Sequence, residues 1–187
     1  MSRIPELRRE DLSEPQAQVW DAIAAGPRGQ VGGPLNVWLH SAGLAQRAQE
    51  LGAFCRYGSS LPPRLSELAI LVTGAYWRAG YEWWAHAPIA EKAGLDPAAI
   101  EAIRVGAEPV LAGEDEQVVY RFARELLTRR EVSDPTFARA TELLGRLGVV
   151  DLTGILGYYG LISMTIKAFE VDVPGGQEPF ADLTADA

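Results

Sequence analysis

The chain holds two histidines, and one of them, His86, stands four residues after Glu82. On a helix that spacing sets the two side chains one turn apart on one face, where they can share a hydrogen bond or a ligand. Glu67 lies upstream on a segment that also reads as helix. If the two helices pack antiparallel across the break at Gly80, Glu67 reaches the same place, and two carboxylates with an imidazole are groups suited to general acid–base work. Arg78 shares a helical stripe with Glu67, Leu71 and Gly74, and Arg64 opens the same helix, so both are candidate partners for an anion. Trp77, Tyr81, Trp83 and Trp84 supply aromatic surface around the pair, and polar groups converging within apolar walls describe a pocket. The plainer alternative is that Glu82 answers the helix macrodipole and His86 is a satisfied, half-buried side chain.

These residues have to be positioned by residues 64–94. In the first half Leu65, Leu68, Ala69, Leu71, Val72 and Ala75 recur at three- and four-residue steps, the mark of a helix burying a broad face. Pro62 and Pro63 suit its first turn. The second half restarts after Ala79 and Gly80, and Pro88, which leaves the carbonyl of Trp84 without its helical donor, is expected to kink it.

The rest of the chain also reads as helices. Ser13 with Gln16 forms a capping-box signal for a helix ending at Gly26. The glycine-dense residues 26–34 lack the Gly-Lys-Ser/Thr of a phosphate loop and are expected to be a flexible loop. A short helix follows Pro34 and carries His40 near its end; Ser41 is placed to cap the next helix, which runs through Cys55. Asp96 and Pro97 start another. Two more are expected, one over residues 114–129 and one after Ser133 or Asp134. The last, over residues 150–168, carries Gly154, Gly157 and Gly160, where glycine's cost to a helix suggests close approach by another helix or a ligand. The Pro- and Gly-containing end, residues 170–187, reads as a tail that lies on a neighbouring subunit or is disordered. No segment alternates at period two, and there is no internal repeat.

With 187 residues, 48% of them hydrophobic, the chain suits a single domain with a substantial core. A formal charge of −8 with scattered basic residues argues against nucleic acid or an anionic membrane as partner. The lone cysteine, Cys55, excludes an internal disulfide framework and a Cys-x-x-Cys pair. The amino terminus lacks the apolar run of a signal peptide, and a cytoplasmic location is expected. Residues 152–166 read as a central helix, too short and polar to span a bilayer. No standard zinc spacing occurs, so no metal is expected.

The stretch ELAILVTGAYWRAGYEWWAHAPIAEKAGL resembles the carboxymuconolactone decarboxylase and alkyl hydroperoxidase D group. Hydroperoxidase members carry Glu, then a Cys-x-His-Cys segment, then His; on this chain those positions are Glu67, Ala79, Tyr81, Glu82 and His86, so both cysteines are missing. Decarboxylase members carry an E-x-x-x-H pair, matched by Glu82 and His86. The LHS at residues 39–41 and GYYGLISMTIKAFEVDVP near the end also look like that branch, whereas its short downstream segment with cysteine and asparagine is not found. The resemblance implies an all-α, alkyl hydroperoxidase D-like subunit, with core motif 62–106, assembling into trimers or hexamers with pockets near subunit contacts. It implies a carboxylated, unsaturated lactone as substrate and no cofactor. Arg78 or Arg64 would then bind carboxylate, His86 donate a proton, and Glu82 or Glu67 orient it. Tyr81, Trp83 and, at one remove, His40 would contact substrate. Isomerisation, hydration or other lactone chemistry would use the same residues, and a non-catalytic, ligand-binding oligomer is the rival from outside enzymology. Thiol peroxidation is disfavoured, since it needs the missing vicinal thiols.

Overall fold

The computed structural model describes residues 2–183, and among these there is no strand. Eight helices follow in order: α1 (Glu14–Ala25), α2 (Pro34–Leu39), α3 (Ala42–Ala53), α4 (Pro63–Tyr76), α5 (Gly80–Lys92), α6 (Pro97–Arg104), α7 (Glu114–Arg129) and α8 (Asp134–Phe169). A single π-turn, Phe54–Gly58, extends α3.

The centre of the bundle is α4. Every residue from Leu65 to Gly74 is buried, so this helix is enclosed on all sides, with α5, α7 and α8 packed on it. Leu68, Ala69 and Ile70 are wholly inaccessible, and truncating Leu68 to Ala would cost about 2–5 kcal/mol by the usual cavity penalty. What covers Gly74 is Glu82: a Cβ at Gly74 would lie 3.9 Å from Glu82 Cβ and Cγ.

The chain reverses between α4 and α5 in three residues. Ala79 N donates to Gly74 O at 2.8 Å and Arg78 takes the left-handed conformation at φ 48°, a costly setting for a residue with a Cβ. This reversal makes α4 and α5 antiparallel, which is what brings Glu67 to His86. Helix α5 runs on through Pro88 to Lys92, so the expected kink does not break it. Two of the expected caps form: Ser13 N donates to Gln16 Oε1 at 2.9 Å, and Ala98 N donates to Asp96 Oδ1 at 2.8 Å. Ser41 stands at the start of α3, but its side chain makes no capping hydrogen bond.

One region refines the sequence reading and one departs from it. Residues 134–169, together α8, are two helices that meet at Gly145, whose φ of 71° and ψ of 170° break the helical path. Two helices are what the sequence leads one to expect, and the break falls a little before residue 150. The described part of the tail, residues 170–183, packs on its own chain, and the remainder lies outside the described residues. Phe180 stacks edge-on against Trp83 at 5.4 Å, Arg104 Nη1 donates to Pro179 O at 2.6 Å, and a Cβ at Gly80 would strike Glu178 Oε2. Helix α8 is long and apolar enough to cross a membrane by length and composition, yet 67% of its most apolar window is buried in the fold.

Candidate active site

The structure brings Glu67, Glu82 and His86 together. The imidazole of His86 lies between the two carboxylates, with Nδ1 2.6 Å from Glu67 Oε2 and Nε2 2.9 Å from Glu82 Oε1. All three are buried, with 3–4% of each residue exposed. Nδ1 and Glu67 are hydrogen-bonded. The Nε2 approach has ion-pair distance without hydrogen-bond alignment, which leaves Glu82 Oε1 buried with no hydrogen-bond partner. Burial opposes charge on His86, but Glu82 and Glu67 together outweigh it and push the imidazole up to about 9, so it is a cation at neutral pH.

Above this floor is a cavity of about 410 Å³, lined by residues of five regions, α2 with Pro34 and Leu35 among them, a size suited to a small organic molecule. Helix α5 contributes Tyr81, Glu82, Trp84 and His86; the loop after α1 contributes Arg28, Gln30 and Gly32; the π-turn contributes Arg56; α8 contributes Tyr159 and Ile162. Tyr159 stands edge-on to His86, ring centres 5.2 Å apart. Its hydroxyl is buried without a hydrogen-bond partner, and burial, with Glu82 and Glu67 nearby, raises its pKa well above that of free tyrosine, so it stays a neutral donor. A wider surface cleft of about 560 Å³ between residues 108–111 and α7 holds none of these groups.

The residues 26–34 form a wall of this cavity. Gly33 sits at φ 54°, and a Cβ there would fall 2.3 Å from the Tyr81 ring; the absent side chain is what lets Tyr81 stack where it does.

Of the substrate-contact candidates, Tyr81 alone lines the cavity. Arg64 turns from α4 to α7, where it donates to Asp115 Oδ2 at 2.7 Å and also pairs with Glu116. Arg78 lies past the end of α4, in a separate groove with Tyr76, Ile103 and Tyr120. Trp83 is rotated about 100° from Glu82 along the helix and packs on Phe180. His40 is exposed, with Nε2 3.0 Å from Pro5 O. Sequence reading missed Arg28, Arg56 and Tyr159, all delivered by elements distant in the chain. Cys55 is fully buried, and burial, with Asp151 adding to it, pushes its thiol up to about 11, which suits a core residue and not a nucleophile. Among the described residues no group of His, Cys, Asp and Glu is placed to hold a metal.

A buried acid–base cluster under a small-molecule cavity in an all-α bundle defines the class. Residues 42–125 match the carboxymuconolactone decarboxylase family model, and the chain's family-level resemblance to that group therefore stands. Solved structures share the fold across nearly the whole chain. An uncharacterized peroxidase-related protein from Silicibacter sp. TM1040 is 12% identical, with 91% of this chain and 90% of that one covered and a TM-score of 0.73. The alkylhydroperoxidase AhpD core protein from Ralstonia eutropha JMP134, also described as peroxidase-related, is 16% identical over 92% of each, TM-score 0.73. A variant of the debrominase Bmp8, in complex with 2,3,4-tribromopyrrole, is 14% identical over 97% of each, TM-score 0.73. At such identities the likeness establishes the fold, which is the alkyl hydroperoxidase D-like helical one. No curated protein matches the sequence significantly.

Proposed function

We propose that the chain is an acid–base enzyme acting on a small carboxylated or lactone-like molecule, with Glu67, His86 and Glu82 as its proton-transfer group and without a cofactor. The observation that carries this reading is the charged imidazole held between two buried carboxylates at the floor of a cavity. Glu67 fixes the ring by accepting from Nδ1–H, which leaves the Nε2 edge beside Glu82 and the cavity. For a carboxylated lactone, the bond to the carboxylate carbon breaks and carbon dioxide leaves. The electron pair enters the ring carbonyl as an enolate, and His86 returns a proton to carbon. Glu82 steadies the imidazolium while it is charged and can recover the proton from solvent afterwards. Isomerisation of the same class of substrate would use the same two proton transfers.

The test is a screen of carboxymuconolactone and related lactones for carbon dioxide release or a change in ring absorbance, with His86→Ala as the control. Turnover that falls about 10² to 10⁴-fold in the variant supports the reading. Turnover untouched by the substitution removes His86 from the chemistry, and no turnover of any lactone turns the weight to a ligand-binding protein.

We also propose that the chain associates with itself through α8. Leu147, Val150, Gly154, Gly157, Leu161 and Met164 follow one another at alternating three- and four-residue steps, so they form one stripe. No charged residue is exposed between Arg146 and Lys167, and a Cβ on Gly154 or Gly157 would meet nothing in the chain. The stripe reads the same in both directions, large at each end and glycine in the middle, as an antiparallel two-fold pair requires. Light scattering of the wild type and of Leu161→Glu decides: a monomeric wild type ends the proposal.

A further inference from the structure

Among the described residues, four buried side-chain atoms have no hydrogen-bond partner: Arg28 Nε, Glu82 Oε1, Tyr159 OH and Ser163 Oγ. Three of the four belong to residues that line the single cavity above His86. Buried polar groups are as a rule satisfied, so a cluster of unsatisfied ones around an open volume describes the polarity of what fills it. A carboxylate oxygen only accepts; Glu82 Oε1 has His86 Nε2 at 2.9 Å without hydrogen-bond alignment, so it retains a lone pair for an O–H or N–H from the ligand. Arg28 Nε only donates and needs an acceptor, and the neutral Tyr159 phenol can donate to another.

The arginines add charge. Neither Arg28 nor Arg56 forms an ion pair among the described residues; Arg56 lies over the Tyr57 ring at 5.2 Å, and Arg28 Nη2 reaches Tyr158 OH at 3.4 Å. Arg28 is a built feature, because Gly52 on α3 is what admits it: a Cβ there would fall 2.0 Å from Tyr158 OH and 2.5 Å from Arg28 Nη2. Two guanidinium groups against the net single negative charge of Glu67, Glu82 and protonated His86 leave one positive charge uncompensated. The remaining lining, with Pro34, Leu35, Trp84 and Ile162, is apolar.

We propose that this cavity binds a small monocarboxylate that carries a hydroxyl group and an apolar body. The carboxylate sits at Arg28 and Arg56, the hydroxyl donates to Glu82 Oε1, and the apolar body lies against Trp84 and Ile162. Tyr159 OH donates to a remaining ligand oxygen. The proposal rests on the acid–base reading only in that it sets the hydroxyl-bearing carbon next to His86; the binding pattern stands on the unsatisfied atoms and the two arginines.

Isothermal titration with three probes tests it. Mandelate has the carboxylate, the hydroxyl and the apolar ring; phenylacetate lacks the hydroxyl; methyl mandelate lacks the charge. Mandelate is expected to bind about tenfold or more tighter than either, as for a hydrogen bond to a charged group. Arg56→Gln should erase the gap between acid and ester and keep the hydroxyl preference, Glu82→Ala should erase the hydroxyl preference, and Arg47→Gln, a charge change on an exposed face, should alter neither. If a variant does not fold by circular dichroism, the wild-type ranking decides alone. Phenylacetate or methyl mandelate binding as tightly as mandelate overturns the proposal, as does a ranking unchanged in folded Arg56→Gln or no binding at about 10 mM, far weaker than the usual range for a small-molecule site. Because the readout is binding, the two readings fail separately: the ranking with no lactone turnover leaves the hydroxy-acid site standing, and lactone turnover without the ranking removes the site alone.

Discussion

Helix α4 sends two charged side chains outward one turn apart, and they meet opposite fates. Arg64 crosses to α7 and is met by Asp115 and Glu116, with 29% of its side chain still in solvent. Glu67 crosses to α5 and meets His86, with both side chains 5% exposed. The first cluster closes on itself: one cation and two carboxylates, screened by water and with little left to offer a ligand. The second is sealed from water on the protein side and open on the other, with a carboxylate oxygen and a phenol still unsatisfied. The contrast teaches that a charged residue beside a motif is not thereby part of it. On the proposed reading, the cluster that can act on a ligand is the one whose polar atoms still lack partners.

The sharpest way to break that comparison is to neutralise charged members of each cluster, the two carboxylates of the second and the arginine of the first. Glu82→Gln and Glu67→Gln should each lower turnover of an identified substrate by about 10² to 10⁴-fold, and Arg64→Gln should leave it within about twofold while costing about 1 kcal/mol or less, as for partly exposed ion pairs. Steady-state rates and urea midpoints on the three variants measure both. An Arg64 effect on turnover as large as that of Glu82 would mean the two clusters work as one.

A second contrast is pH. The ordinary histidine value is 6.5 and the folded one about 9, so the charged form is favoured by folding. That stabilisation is fully present below 6.5 and lost as pH rises through about 9, amounting to about 3 kcal/mol at about 1.4 kcal/mol per pKa unit. Urea unfolding of wild type and His86→Gln between pH 6 and about 10 should show the difference in stability shrinking across that window. A flat difference would mean His86 is neutral in the fold. Proton donation by His86 should fade over the same upper range, with activity falling as pH passes about 9.

A smaller effect is expected at the wall. Gly33→Ala meets both an unfavourable φ and the Tyr81 ring, and strain of this kind costs about 1–3 kcal/mol. Since Tyr81 lines the cavity without touching His86 in the proposed chemistry, the variant should raise KM more than it lowers kcat. The reverse split would place Tyr81 in the proton transfer itself.

The extent to which the sequence disclosed this arrangement follows the distance over which its signals act. Glu82 and His86 were legible because helical spacing alone puts them together, and Glu67 because Gly80 breaks the chain where an antiparallel turn can form. The helices of residues 114–129 and 97–104 were legible through caps and periodicity. Arg28, Arg56 and Tyr159 had no such signal: each is set by tertiary packing, with Gly33 and Gly52 as the local traces, glycines whose missing Cβ admits Tyr81 and Arg28. Arg64 and Trp83 stand near the motif in sequence, and rotation around α4 and α5 carries them away; the helical stripe that would align Arg78 with Glu67 stops at Tyr76, where α4 ends, and Arg78 falls in the left-handed turn beyond it. The tail looked unattached because its anchor, Arg104 to Asp182 and Pro179, joins residues far apart in the chain.

The last contrast lies inside the π-turn, where Cys55 and Arg56 are consecutive. Arg56 faces the cavity and Cys55 faces the core, fully buried, because successive residues on a helical turn point about 100° apart. Desolvation and the charge of Asp151 push the thiol up to about 11, so almost none is thiolate at neutral pH, and a thiol in that state neither attacks peroxide nor exchanges with disulfides at a useful rate. Cys55→Ser and Cys55→Ala should therefore leave turnover and the binding of a carboxylate unchanged. The Ser variant loses about 1–3 kcal/mol of stability if its hydroxyl finds no partner, and the Ala variant loses less because it buries no polar group. Measuring rate and unfolding midpoint on both separates packing from chemistry. Loss of turnover in two folded variants would show that the thiol acts in the reaction and that Cys55 and Arg56 serve one site.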